Sequence, residues 1–171
     1  MGSDQLARIW YASLHEVNRK HRMAYVQEGN SVEELFFNRI QPDLLCRFFT
    51  KKEQGIIFKD AYKEHAKKMA LEMAPKKIRF CSCDMPGYPD ALKNIPDPPY
   101  GLYYLGNLPE NERFFVGIVG ARMCTEYGRK IAKELGKRLG EAGIGVISGM
   151  AAGVDSASHA GALMVGAGTY A

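Results

Sequence analysis

Val146–His159, VISGMAAGVDSASH, decides the fold of this chain together with a shorter stretch upstream, Val119–Thr125, VGARMCT. Each is a run of β-formers that ends on glycine and opens onto a helix start. Working outward, FFVGIVG (Phe114–Gly120) predicts an almost wholly apolar strand, of the kind buried on both faces in a parallel sheet. TEYGRKIAKELGKRLGEAG follows as an amphipathic helix, with Tyr127, Ile131, Leu135, Leu139 and Ala142 on one stripe and Lys130, Lys133, Lys137 and Glu141 elsewhere. Gly143 ends it. IGVISG then reads as a second strand, DSASHAGALMVG as a second helix, and Gly168–Ala171 as the opening of a third strand. The fold class is therefore α/β, a Rossmann-like parallel sheet. Such sheets normally carry five or six strands, so a chain ending on its third is expected to be a C-terminally truncated piece of the fold.

Ligands of a parallel α/β sheet bind outside the carboxyl ends of the strands, and both glycine turns fall there. Two helix N-termini side by side present amide N–H groups and partial positive charge, a natural cradle for phosphate. Gly120, Gly149 and Gly153 let an anion approach the backbone closely. Arg122 adds a permanently charged planar fork matched to phosphate oxygens, and Ser148 a hydroxyl at the lip of the second strand. A dinucleotide fold would show G-x-G-x-x-G and an acidic residue at the end of the second strand; this chain has Gly120-Ala121-Arg122 and Ser148-Gly149 instead. No G-x-x-x-x-G-K-[ST] run is present either. Asp155 and His159 lie four apart on one helix face. They read either as an acid–base pair or as a cap and a loop anchor. An acid beside a phosphate cradle would repel the ligand unless it bonds the loop amides or Arg122.

Residues 1–75 are short of glycine and read as a small all-helical domain, with residues 76–171 as the sheet domain. Leu6, Ile9, Trp10, Leu14 and Val17 mark one helix. Ser31 and Glu34 form a capping-box start for a second that carries Leu35, Phe36 and Ile40. A third is expected from about Lys52 to Met73, with Ile56, Ile57, Ala61, Ala66, Ala70 and Met73 inward and Lys59, Lys63, Lys67 and Lys68 solvated. After Pro75, strands are expected at Ile78–Ser82 and Leu102–Leu105. A proline-rich connector joins them, and its Tyr88, Tyr100, Tyr103 and Tyr104 pin it to a core. The chain carries 23 Lys and Arg against 19 Asp and Glu, a net +4 spread evenly, which permits a polyanionic partner without demanding one. No apolar run approaches the roughly 20 residues that cross a bilayer, and the N-terminus has no secretory pattern, so a cytoplasmic location is expected. Cys46, Cys81, Cys83 and Cys124 are scattered and read as reduced thiols; no metal or other cofactor is expected.

With these residues in hand the chain resembles the DNA-processing protein A (DprA, or Smf) family over roughly Ile78–Ala171. The resemblance rests on YPDALKNIPDPPYGLYYLGN, VGIVGAR with Tyr127-Gly128, VISGMAAGVDSASHAGAL and GAGTYA, in that order. It implies a sterile-alpha-motif-like domain before a Rossmann-like core that binds single-stranded DNA, protects it during natural transformation and loads the RecA recombinase, without catalysis. It also implies a homodimer for the full-length protein. Carried over by position, Gly120, Ala121 and Arg122 match the family's Gly-Ser/Thr-Arg phosphate turn, with Ala121 replacing the usual hydroxyl residue. Ser148, Gly149, Ala151, Gly153 and Asp155 match its second loop. The alternative is an enzyme of the lysine-decarboxylase-like Rossmann group that hydrolyses nucleoside monophosphates. Its P-G-G-x-G-T-x-x-E motif does not occur here.

Overall fold

A computed structural model describes residues 2–111 and 113–171, which form two compact units, Met1–Asn107 and Leu108–Ala171. In the first, six helices, α1 (Ser3–Ser13), α2 (Arg19–Gln27), α3 (Val32–Phe36), α4 (Pro42–Phe48), α5 (Lys51–Ile57) and α6 (Asp60–Met73), precede β1 (Arg79–Ser82), a single turn α7 (Asp90–Lys93) and β2 (Gly101–Tyr104). Helix α1 is the spine: it packs on α3, α6, β1 and β2. Its Trp10 and Tyr11 are fully buried. Trp10 meets the edge of Phe36 at 5.3 Å, and Tyr11 that of Tyr100 at 4.8 Å.

The helix expected across residues 52–73 is two helices. Helix α5 stops at Ile57, and α6 restarts at Asp60. Were the helix continuous, Ile57 and Ala61 would share a face; instead Ile57 is buried and Ala61 exposed. The apolar sets of the two segments are out of phase, so a break is required for both to reach one core. Helices α2 and α4 have no apolar stripe obvious in the sequence and are set by capping. The Asn18 side chain accepts from the Lys20 amide, and Pro42 opens α4.

Glu53 ties this bundle together. Its carboxylate accepts from the Asn18 amide at 2.9 Å and from the Thr50 amide and hydroxyl at 2.8 and 2.7 Å, and it meets His21 Nδ1 at 3.0 Å. The capping box it forms with Thr50 thus also anchors the start of α2. Burial alone would raise its pKa, but the Thr50, Asn18 and His21 hydrogen bonds bring it down to about 2. A folded-state value below the unfolded one means the stabilisation is present above the ordinary glutamate range and is lost as pH falls toward 2. The thermal midpoint of the helical unit should therefore drop between pH 5 and pH 2. Glu53→Gln should flatten that part of the profile while costing about 1–2 kcal/mol at neutral pH; an unchanged acid profile would remove Glu53 from this role.

Strands β1 and β2 pair antiparallel, from Arg79 opposite Tyr104 to Ser82 opposite Gly101. The connector is pinned through Tyr88 and Tyr100, both buried, and the Tyr88 hydroxyl donates to the Pro99 carbonyl. Composition changes at Pro75, just past α6, yet contacts group the hairpin with the helices because α1 lies on both strands. Burial pushes the Cys83 thiol up to about 11 and raises that of Cys81, so both persist as protonated thiols. Among the described residues no helix is long and apolar enough to cross a membrane.

The second unit alternates β3 (Phe115–Gly117), α8 (Glu126–Glu141), β4 (Gly145–Ile147), α9 (Val154–Met164) and β5 (Thr169–Tyr170). Its three strands are parallel in the order β3-β4-β5, and Ile118, Val146 and Ala162 centre its core with Leu139, Val154 and Ala167 against them. Gly143, at φ 76°, closes α8 as expected, with the Ile144 amide reaching back to the Leu139 carbonyl.

Two expectations fail here. The apolar stripe of α8 faces outward over its first turns, where Tyr127, Ile131 and Leu135 are 75%, 48% and 44% exposed, and only Leu139 reaches the core. The helix meets α9 through Ala132 and Gly136 instead, so closely that a Cβ on Gly136 would lie 2.2 Å from the Ser158 carbonyl oxygen. Small residues let the two backbones touch. Nor is the first strand buried on both faces, since Phe114 is 82% exposed and Val116 37%.

Candidate functional site

The loops that leave β3 and β4 lie against each other. The Val154 amide donates to the Ala121 carbonyl at 3.2 Å, and Ser148 Oγ donates to the Ile118 carbonyl at 2.6 Å. Gly153 is the N-cap of α9 at φ 89°, ψ −124°, a conformation that side-chain-bearing residues rarely adopt. A Cβ there would sit 2.2 Å from the Ala121 oxygen. Gly120 is equally confined, its missing Cβ falling 2.8 Å from Val154 Cβ. The sheet thus brings the sequence-predicted residues Gly120, Ala121, Arg122, Ser148, Gly149, Ala151, Gly153 and Asp155 to one edge.

They do not all face outward, because Asp155 fills the hollow between the turns. The residue is 6% exposed, with Oδ1 accepting from the Gly120 amide at 3.3 Å and Oδ2 from the Gly149 amide at 3.1 Å. Burial would raise this carboxyl, but the Gly120 amide, the Ser148 hydroxyl and the amides of Gly149 and Ala151 outweigh it and hold it below the ordinary aspartate range. The two glycine amides expected to receive a ligand anion are therefore bonded within the chain. Ser148, expected to face a ligand, is instead 5% exposed, its hydroxyl directed to the Ile118 carbonyl at 2.6 Å and set beside the Asp155 carboxylate, so it fastens the strand ends. What remains open is Arg122, exposed and without an ion pair among the described residues, and the outer surface of the first turn.

His159 does not pair with Asp155. Its Nδ1 meets the Thr169 hydroxyl, which in turn lies 3.2 Å from the Val146 carbonyl, so the imidazole braces α9 against β5. Of the two readings open for these residues, the anchoring one fits this geometry. Three neighbours went unnoticed in the sequence: Val119, Met123 and Met150 are 79%, 96% and 73% exposed around the same turns. Met150 is moreover a non-glycine residue at φ 54°. Apolar letters inside a β-α pattern read as core, and no sequence signal set them apart.

A parallel sheet with two apposed glycine turns at its strand ends, a carboxylate hydrogen-bonded between them and an exposed guanidinium beside it defines a Rossmann-like α/β protein. Comparison with known proteins carries this further: the chain belongs to the DNA recombination-mediator protein A family, whose model matches residues 79–171. It is 38% identical over 104 residues to protein Smf of Synechocystis, a match covering 58% of this chain and 26% of that protein. To the DNA processing protein DprA of Bacillus subtilis it is 39% identical over 74 residues, 43% of this chain and 25% of the relative. The chain thus spans about a quarter of the length of these relatives. The X-ray structure of DNA processing protein A from Streptococcus pneumoniae superimposes with a TM-score of 0.67 at 22% identity, over 99% of this chain and 56% of that one, a likeness of fold.

Proposed function

We propose that the second unit binds single-stranded DNA without regard to sequence, gripping backbone phosphates through Arg122 and the outer face of the first glycine turn. In the full-length protein this grip would protect incoming strands and present them to the RecA recombinase, from a cytoplasmic homodimer and without making or breaking a bond. The observation that supports the reading most is Arg122 itself, an exposed cation at the mouth of two turns, while the Asp155 carboxylate between them is buried and held by backbone amides. Family membership supplies the DNA. Asp155 is committed to the loops and His159 to Thr169, which leaves the hydrolase reading without a free acid–base pair at this edge.

Fluorescence anisotropy with labelled oligo-dT over a salt series tests it. Arg122→Ala should weaken binding by about 1–3 kcal/mol, whatever the base sequence. The salt slope should shrink by about 0.7, one phosphate contact on a single strand. Unchanged affinity would take Arg122 out of the site. Release of free base from a nucleoside monophosphate would favour the hydrolase instead.

A further inference from the structure

We propose that Val119, Met123 and Met150 form an apolar platform on which the bases of a bound strand rest, next to the phosphate grip at Arg122. The inference rests on the single-strand reading and adds what the other side of the strand touches. The three side chains are 79%, 96% and 73% exposed, far more than isolated methionine or valine burial preferences would leave in water. The loops that carry them are bonded to each other: Met123 follows Arg122, Met150 follows Gly149, Val119 precedes Gly120, Asp155 bridges the Gly120 and Gly149 amides, and the Val154 amide closes one loop on the other. Met150 is presented by a turn fixed from within, since Asp155 holds the Gly149 amide and the residue itself is kept in the left-handed region.

Charge points to the occupant. Residues 119–125 and 148–154 carry one charged side chain between them, Arg122; of the two acids that border them, Asp155 is turned inward onto the loop amides and Glu126 opens helix α8. A lone cation set in an apolar rim suits a ligand that is anionic on one side and flat and apolar on the other, and a nucleotide strand is that ligand. Thioether side chains are flexible and polarizable, so they adapt to any base and leave binding indifferent to sequence.

The test uses the chain with Met123 and Met150 both replaced by alanine, oligo-dA, and a sugar–phosphate oligomer of equal length lacking bases. The double variant should bind oligo-dA about three- to tenfold more weakly at an unchanged salt slope, and the abasic oligomer as well as the parent does. Leucine at both positions should restore most of the loss. Equal weakening on both oligomers, or none on either, overturns the platform, as does unchanged oligomer binding with lowered self-association in sedimentation. Should the parent bind neither oligomer, the single-strand reading falls and the platform with it. If Arg122→Ala binds normally while the double variant loses oligo-dA alone, the phosphate grip fails and the platform stands.

Discussion

Gly161→Ala is expected to force helix α8 off α9 and to cost the second unit about 3 kcal/mol or more. The missing Cβ would lie 1.9 Å from the Lys133 carbonyl oxygen and 2.9 Å from the Lys137 amide nitrogen. Both obstacles are backbone, so no rotamer change relieves them. For a unit this small, that corresponds to a thermal midpoint lower by roughly 10–20 °C, read by circular dichroism. Gly128→Ala, on the facing helix α8, provides the control, because its Cβ would meet Thr125 Oγ1 at a tolerable 3.4 Å. That change should be neutral or stabilise by about 0.5–1 kcal/mol through backbone entropy. Equal midpoints for Gly161→Ala and the parent would show that the helices do not meet backbone to backbone.

Gly153→Ala should damage the site more than any other single methyl group. Two costs add: a conformation at φ 89° open in practice to glycine, and a Cβ 2.2 Å and 2.5 Å from the Ala121 and Arg122 carbonyl oxygens. Together they amount to about 3 kcal/mol or more. The loop that carries Arg122 must move away, so strand binding should fall by at least as much as in Arg122→Ala, with the loss of stability reported by thermal unfolding. Intact stability and intact binding would show that the two loops are not held as close as described.

Much of this was legible before any coordinates. The apolar run FFVGIVG and the segment IGVISG located two strands of the sheet, Gly168–Ala171 was placed as the opening of the third, and Gly143 and the two glycine turns located the ends of its elements. Ser31 was read correctly as an N-cap, its side chain accepting from the Glu34 amide at 3.2 Å. The failures share one cause. An apolar stripe says that a helix has a face to bury but not what lies opposite, and α8 found a glycine-lined partner that fits backbone better than side chains. The break between α5 and α6 was hidden because each segment is periodic by itself, and only the phase between them reveals the kink.

The sequence by itself determined the class of this protein, since strand, glycine turn and helix start recur in an order that only a parallel α/β sheet accommodates, and it placed Arg122 at the correct edge of that sheet. Which of the edge residues face a ligand was decided by tertiary structure alone. Asp155 lies 35 residues from Gly120 along the chain, and its hydrogen bond to that amide exists only once β3 and β4 are side by side. With the bond to Gly149 it occupies the amides the glycines were expected to offer, while Arg122, Met123 and Met150 stay exposed.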